Sequence, residues 1–170
     1  SASSIWLADR DGRHLLANHA VARVLGATPE QVAGSPREHF LEPATVAEHR
    51  ANDRHVFESG APLTVEEHVR GPDGMRTYLS VKFPVRDSAG EIYAVGGIAT
   101  DITEQRRAQR ELQETTQRLN AVVEHSPAAI FDLDLDGKVR SVWNRAAEAI
   151  YGVPREQAIG RPLPLLRDTG

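Results

Sequence analysis

The chain of 170 residues contains no cysteine. Disulfide bonds, thiolate zinc sites and cysteine nucleophiles are therefore excluded. Aromatic residues are also few, at 5% of the sequence. A chain without cysteine suits a reducing compartment, and we expect this one in the cytoplasm.

Excess charge and long apolar runs are lacking as well. The formal net charge is only −4, which offers no basic surface of the kind that nucleic-acid binding needs. No apolar run approaches the roughly 18 residues of a membrane-spanning helix. With 40% hydrophobic and 26% charged residues, the composition is that of a folded globular protein. We therefore expect neither a nucleic-acid partner nor a membrane span in this chain.

An internal repeat is the clearest feature that the sequence does contain. Residues 5–12 return as 130–137 at an offset of 125, and one inserted residue then shifts the offset to 126. The matched residues of the first copy are Ile5, Asp9, Asp11, Gly12, Asn18, Ala20, Gly26, Glu30, Gln31, Gly34 and Pro36. Asp-Gly favours a tight turn, Asn caps helices and Gly ends them. The repeat therefore predicts that the second copy follows the backbone path of the first.

Hydrophobic alternation and turn signals predict the other elements. A hairpin, two short helices and a helical turn come first, then a long helix that ends at Gly60, and three further strands. The predicted ranges are 4–9, 13–17, 20–25, a helix starting at 28, a turn near 36–41, 43–59, 63–69, 78–85 and 92–100. Strands at both ends with helices between them indicate an α+β fold, with an antiparallel sheet and helices on one face.

This order of elements resembles that of the PAS family of sensor domains. Residues 26–34 resemble the family's short-helix loop, and residues 52–62 resemble the end of its long helix. Residues 100–104, Thr-Asp-Ile-Thr-Glu, resemble the exit signature that precedes a signalling helix. The resemblance covers residues 4–104 and again 128–164. It implies a five-stranded antiparallel sheet with helices on one face.

The resemblance also implies a domain organisation and a role. We expect a PAS sensor domain at residues 4–103, a helical connector at 104–126 and a truncated second PAS copy at 127–170. Such a chain is a regulatory module of a bacterial signal-transduction protein and not itself an enzyme. Its output domain, such as a histidine kinase or a diguanylate cyclase, would lie outside the chain. The sequence contains neither a Ser-His-Asp arrangement nor a phosphate-binding loop that would indicate an enzyme.

The family often holds a small molecule between the long helix and the sheet. The predicted inner face of the helix contains Val46, His49, Asp53 and Val56. We expect Gly97 to let a ligand approach the backbone closely. The full set of candidate ligand-binding residues is His49, Asn52, Asp53, Val56, Leu79, Val81 and Gly97. The alternative is a ligand-free interaction or dimerisation module, whose core is filled by Trp6, Phe57, Leu79 and Phe83.

Two cofactors known from the family can be weighed against the sequence. Haem-binding members carry the axial histidine on the long helix, where His49 lies. Position is the only argument for haem, so a histidine that hydrogen-bonds beside the pocket is the preferred interpretation. The light-sensing members form a flavin adduct with a cysteine, which this chain lacks. The cofactor, if there is one, stays unidentified.

The connector contains neither glycine nor proline between residues 104 and 125 and is rich in helix formers. Ala108, Leu112, Thr115, Leu119 and Val122 follow the 4-3-4-3 spacing of a coiled-coil seam. We therefore predict a weak parallel homodimer through this helix and the PAS surface. The alternative is a lone helix on its own domain.

We also expect the connector to relay the signal. The relay residues would be Asp101, Ile102 and Thr103 at its start, with Leu112 and Leu119 along its seam. A second seam, through Ile102, Leu112, Leu119 and Val123, shares both leucines. Two registers of similar quality suit the bistable element that signalling needs.

The second copy raises two further questions. Asp132, Asp134 and Asp136 form an acidic cluster, but no later glutamate completes a calcium loop. We therefore interpret them as turn acids. Because an isolated hairpin is only marginally stable, we expect residues 128–164 to be disordered, or ordered by pairing with another chain.

Overall fold

The computed structural model describes residues 3–163. The chain forms two compact units, residues 1–107 and 108–170. The elements of the first are β1 (Ser4–Asp9), β2 (His14–Ala17), α1 (His19–Leu25), α2 (Pro29–Val32), a 3₁₀ turn (Arg37–His39), α3 (Pro43–Ser59), β3 (Leu63–Gly71), β4 (Gly74–Arg86) and β5 (Ile92–Asp101). A long helix, α4 (Thr103–Glu124), begins in the first unit and ends in the second. The second unit continues with β6 (Phe131–Leu133), β7 (Val139–Trp143), α5 (Arg145–Tyr151) and α6 (Arg155–Ala158).

The five strands of the first unit form one antiparallel sheet in the order β2-β1-β5-β4-β3. This confirms the predicted α+β fold with a five-stranded sheet. Among the described residues, no helix is both long enough and apolar enough to cross a membrane.

Helix α3 begins with Pro43 in its first turn and ends at Gly60, which has the left-handed φ of 64°. Both residues suit these positions, because proline's fixed φ matches a first turn and glycine tolerates a positive φ. The buried residues of α3 are Val46, His49, Asp53 and Val56, the same four that the sequence assigned to its inner face. The helix therefore brings an ionisable pair, His49 and Asp53, toward the sheet.

The two faces of β4 are arranged opposite to expectation. Tyr78, Ser80 and Lys82 are buried, whereas Leu79 and Val81 are each 39% exposed. This corrects the expectation that Leu79 and Val81 line a pocket beneath α3. Alternation shows only that the two faces of a strand differ. It cannot show that the polar face is the buried one, since that depends on partners contributed by other elements.

The internal repeat is reproduced in the backbone. Asn18 caps α1 and also pairs with Ile5, and Asn144 makes the same bonds to α5 and Ile130. Gly26 and Gly152 end these helices with φ values of 68° and 66°. In both copies the first aspartate of the turn accepts hydrogen bonds from two backbone amides that follow it.

The described part of the second unit has a hydrophobic core of its own. Val139, Trp143, Ala147 and Ala158 form its buried core. The ring of Trp143 contacts Phe131 and Tyr151, with centroids 5.7 and 5.1 Å away. Three aromatic rings thus supply apolar area that an isolated hairpin lacks. The rest of the expected second copy, residues 164–170, lies outside the described residues.

The one-residue insertion between the copies has a structural explanation. It falls in β7, where Asp132 Oδ1 accepts hydrogen bonds from the amides of Ser141 and Val142, at 2.8 and 2.6 Å. Two consecutive amides that turn toward one carboxylate are typical of a bulge. These bonds lower the pKa of Asp132 to about 2. Asp132 is therefore a structural acid, as is Asp134, which accepts two backbone amides at the turn.

Candidate ligand site

A cluster of charged side chains lies between α3 and the inner face of the sheet. Lys82 Nζ is 2.7 Å from Glu67 Oε1 and 3.0 Å from Asp53 Oδ1. Arg37 Nη1 lies 2.5 Å from Asp53 Oδ2. Arg37, Asp53, Glu67 and Lys82 are all buried, and their formal charges cancel. Charge neutrality is required in a buried cluster, because an unpaired buried charge carries a desolvation cost of several kcal/mol.

Each member reaches the cluster from a different element. Asp53 lies on α3, Glu67 on β3, Lys82 on β4, and Arg37 in the 3₁₀ turn. Asn52 joins from α3, and its Nδ2 donates to Glu67 Oε1 at 3.2 Å. Burial alone would raise the pKa of Glu67, but Lys82 and His49 outweigh this and hold it below its ordinary value. Glu67 is therefore an anion at neutral pH.

Two buried histidines border the cluster. His14 on β2 is 4% exposed, and burial, helped by Arg37, lowers its pKa to about 4. His49 on α3 is 9% exposed, and burial likewise lowers its pKa to about 4. His49 Nε2 lies 3.5 Å from Glu67 Oε1, too far for a good hydrogen bond. Both histidines are therefore neutral at pH 7.

A cavity of about 60 Å³ opens beside the cluster. Its polar wall includes His14, Arg37, His49, Ser80 and the carboxylate-bearing Glu67, and its apolar wall includes Val21, Val24, Leu25, Leu41 and Val69. Within residues 3–163, His14 Nδ1, Arg37 Nη2 and His49 Nε2 have no hydrogen-bond partner, and Arg37 Nη1 meets Asp53 without the alignment of a hydrogen bond. Buried polar groups are usually hydrogen-bonded, so this concentration of unpaired atoms around one cavity is typical of a binding site.

The structure brings together only part of the set that the sequence predicted. His49, Asn52, Asp53 and Val56 lie on or beside the inner face of α3. Gly97 faces inward too, but the ring of Trp6 covers it, so its close approach is to an indole and not to a ligand. Leu79 and Val81 lie on the outer face, as described above.

Sequence reasoning missed Arg37, Glu67, Lys82, His14 and Ser80 as site residues. One signal was present, because Glu67 alternates in phase with Leu63, Val65 and Val69 on β3. Lys82 is likewise in phase with Tyr78 and Ser80 on β4. Arg37 lies in a loop and gave no comparable signal.

A haem does not fit the site. The cavity of about 60 Å³ is far below the roughly 300–1,000 Å³ of pockets that hold drug-sized ligands. His49 Nε2 also has the Glu67 carboxylate only 3.5 Å away. No cluster of possible metal ligands occurs in the described part of the chain.

The predicted relay residues form a compact junction where β5 becomes α4. Arg76 Nη1 donates to Asp101 Oδ2 at 2.8 Å, and the Thr103 amide donates to Asp101 Oδ1 at 2.9 Å. Thr77 of β4 donates its amide to Thr103 Oγ1 and accepts from the Ile102 amide, both at 2.9 Å. The first turn of α4 is thereby tied to β4. In contrast, Leu112 and Leu119 farther along are 69% and 60% exposed.

Tyr78 lies between the cavity and this junction. It lines the cavity and is the register partner of Asp101 across β4 and β5. Burial, followed by the nearby Asp101 carboxylate, raises the pKa of its hydroxyl. Tyr78 therefore borders both the cavity and the strand end that leads into α4.

Comparison with known proteins identifies the family. A family model of the PAS fold matches residues 1–107, and a second PAS-fold model matches residues 117–169. The methanogenesis regulatory histidine kinase FilI of Methanothrix harundinacea is 30% identical over 148 residues, 86% of this chain and 16% of that protein. The probable diguanylate cyclase DgcE of Escherichia coli is 27% identical over 110 residues, 65% of this chain and 10% of that protein. The chain thus spans less than a fifth of these relatives.

A solved structure of VqmA from Vibrio cholerae is also similar, with a TM-score of 0.57 and 27% identity over 61% of this chain and 48% of that chain. A further VqmA structure, at 27% identity and a TM-score of 0.55, is described as bound to DPO and covers 59% of this chain and 52% of that chain. With a PAS-fold match over most of its length and two such matches in tandem, the chain belongs to the PAS-fold family of signalling sensor domains.

Proposed function

We propose that the first unit binds a small molecule in the cavity beside the charged cluster and relays its presence to α4. The observation that carries this proposal is the set of buried, unpartnered polar atoms around the cavity. The similar structure of VqmA bound to DPO supports it. The catalytic output, of the histidine-kinase or diguanylate-cyclase type found in the relatives, would lie in another part of the full protein.

The relay would run from the cavity to α4 through Tyr78 and the Arg76–Asp101 pair. A ligand shifts an equilibrium only by its difference in affinity for two states. One state would keep the bonds of Asp101 and Thr103 to β4, and the other would release them. Leu112 and Leu119 would carry the change along α4, as the seam of a homodimer.

A native mass spectrum of the purified chain, followed by a denaturing spectrum of the same sample, tests ligand binding. We expect a mass excess that disappears on denaturation and that His14→Phe, which fills the cavity wall, abolishes. The exposed residue His55 provides a matched control, His55→Phe, which should retain the excess. A wild-type spectrum without any excess, repeated after expression in rich medium, would contradict the proposal.

A ligand-free dimerisation module is the second candidate, and the outer face of the sheet favours it. Ile5, Leu16, Leu79, Val81 and Ile98 are exposed on that face, between 39% and 52%. Exposed apolar patches commonly mark interaction sites. Leu112, Leu119 and Val122 on α4 are exposed as well and form a second apolar surface.

The oligomeric state tests this candidate. Analytical ultracentrifugation should show a dimer that Val81→Lys weakens if the sheet face pairs, and that Leu119→Lys weakens if the seam pairs. Ala51→Lys, an exposed change on α3 and therefore not on the outer face of the sheet, is the control. A monomer at every concentration would exclude both modes for this chain.

A further inference from the structure

We infer that the cavity of the first unit takes a short-chain monocarboxylate, with its carboxylate on Arg37 and its hydrocarbon part against the apolar wall. The inference rests on the proposed function and names the chemical class of its ligand. Two observations carry it, the donors that lack partners and the two-sided lining of the cavity, and the charge balance of the cluster sets the pH dependence of binding.

Unpaired donors are the first observation. Arg37 is 2% exposed, and neither terminal nitrogen has a hydrogen-bond partner in the described chain. Its ion pair with Asp53 supplies charge, but the N–H groups are not aligned with that carboxylate. A guanidinium is a donor only, so the missing partner must bring acceptors. A carboxylate matches its planar fork with two parallel bonds.

The remaining unpaired atoms agree with such a ligand. Ser80 is 1% exposed and its hydroxyl neighbours the Glu67 carboxylate, and His14 Nδ1 belongs to a side chain that is 4% exposed. His14 can donate to a ligand carboxylate by changing tautomer, and the Ser80 hydroxyl can do so by turning away from Glu67. The polar wall therefore supplies donors from β2, β4 and the 3₁₀ turn that converge on one cavity.

The apolar wall of the cavity limits the chemistry and size of the part of the ligand that is not the carboxylate. It consists of aliphatic side chains, among them Val21, Leu25 and Val69. A bare inorganic anion would leave this wall without contacts, and a sugar or dicarboxylate would bury polar groups against it. A cavity of about 60 Å³ also excludes large molecules. A chain such as that of propionate or butyrate satisfies both limits.

Charge balance adds a further requirement. Arg37 and Lys82 already neutralise Asp53 and Glu67, so an entering anion leaves one buried negative charge without a partner. The neutral histidines can restore the balance by accepting a proton. His14 faces Arg37 and Asp53, and His49 faces Glu67, Lys82, Arg37 and Asp53. Binding should therefore take up protons and tighten as the pH falls from about 8 to 6.

Isothermal titration calorimetry of the 170-residue chain tests the inference with butyrate and with butyramide, its neutral counterpart of the same shape. We expect butyrate to bind at least about tenfold more tightly, because charge-assisted hydrogen bonds are the stronger ones. Titrations in phosphate and in Tris buffer at one pH should give different enthalpies, whose difference measures proton uptake. Arg37→Gln should abolish binding, and Arg50→Gln, a change on the surface, should preserve it.

The possible results separate the carboxylate assignment from ligand binding by the cavity. If butyramide binds as tightly as butyrate, the carboxylate assignment is overturned while ligand binding by the cavity stands. If neither binds, the inference is overturned, and the mass excess in the native spectrum decides the proposed function independently. Because Arg37→Gln also unpairs Asp53 and can impair folding, the comparison of the two ligands on the wild-type chain remains decisive without any variant.

Discussion

The ammonium group of Lys82 on β4 lies 2.7 Å from the Glu67 carboxylate on β3, and both side chains are buried, at 0% and 2% exposure. Asp53 of α3 meets the same ammonium group at 3.0 Å. Lys82 therefore ties α3 to the sheet beside the cavity through Asp53. A shift of α3 relative to the sheet would have to break this charge contact.

Lys82→Met should destabilise the first unit by about 3–5 kcal/mol, because it leaves Glu67 and Asp53 as buried anions with one cation between them. Hydrogen exchange of the α3 and β4 amides measures the free energy of opening of this unit alone. The chain's other lysine, Lys138, is exposed, so Lys138→Met is the matched control. A loss below about 1 kcal/mol would show that the cluster is hydrated or rearranges easily.

The stability of the first unit should fall on acidification. The pKa of His14 and that of His49 are each about 4 in the folded chain, against 6.5 for an ordinary histidine. The unfolded state therefore binds more protons, and the stabilisation is complete above about pH 6.5 and lost as the pH falls toward 4. Between about pH 6.5 and 5 the loss is roughly 2 kcal/mol per histidine.

Unfolding at several pH values checks this prediction, again through exchange in α3 and β4. His49→Gln should flatten the dependence, and the exposed change His55→Gln should leave it intact. A stability that rises as the pH falls from 6.5 would reverse the sign and refute the burial of neutral histidines.

Gly97→Ala should cost about 1–3 kcal/mol, because its methyl group would overlap the indole ring of Trp6. Trp6→Leu would give the methyl group room, so the double variant should lose less than the sum of the two single changes. A double-mutant cycle measured by chemical denaturation gives this coupling. Additive losses would mean that the ring moves aside freely and that Gly97 has another role.

Arg76→Gln should loosen the start of α4, because Asp101 loses the guanidinium that holds it. Amide exchange should accelerate in residues 103–107 and stay unchanged in α3. Arg70 pairs with Glu42 on the surface, and Arg70→Gln is therefore the control. Unchanged exchange at the start of α4 would remove Arg76 and Asp101 from the proposed relay.

Asp132→Ala should weaken the β6–β7 hairpin, since two amides of β7 lose their acceptor. The carboxyl carbon of Asp132, followed by NMR, should titrate near pH 2, and the contribution of the bulge should fade as the pH drops through that value. Ser141→Ala keeps both amides and should have a much smaller effect. A titration near pH 4 would show that the carboxylate is free in solution.

Much of the fold follows from local signals in the sequence. Glycine, proline and asparagine set the ends of α1, α2 and α3, because their backbone preferences act within a few residues. The repeat was visible for the same reason, since Asn18 and Asn144 each cap a helix and close a hairpin. The inner face of α3 was also predictable, as helical periodicity needs only one apolar reference such as Val46 or Val56.

The candidate site depended instead on contacts between distant segments. From the sequence, Leu79 and Val81 were the natural inner residues of β4, and Lys82 was a natural surface residue. The tertiary structure decided otherwise, because α3 and β3 bring Asp53 and Glu67 within 3.0 Å of the Lys82 ammonium group and so offset its desolvation. The sequence by itself determined the order and approximate bounds of the helices and strands of the first unit and which strand faces differ. Only the folded chain decided which face is buried, since burying a charge depends on partners that lie far away along the chain.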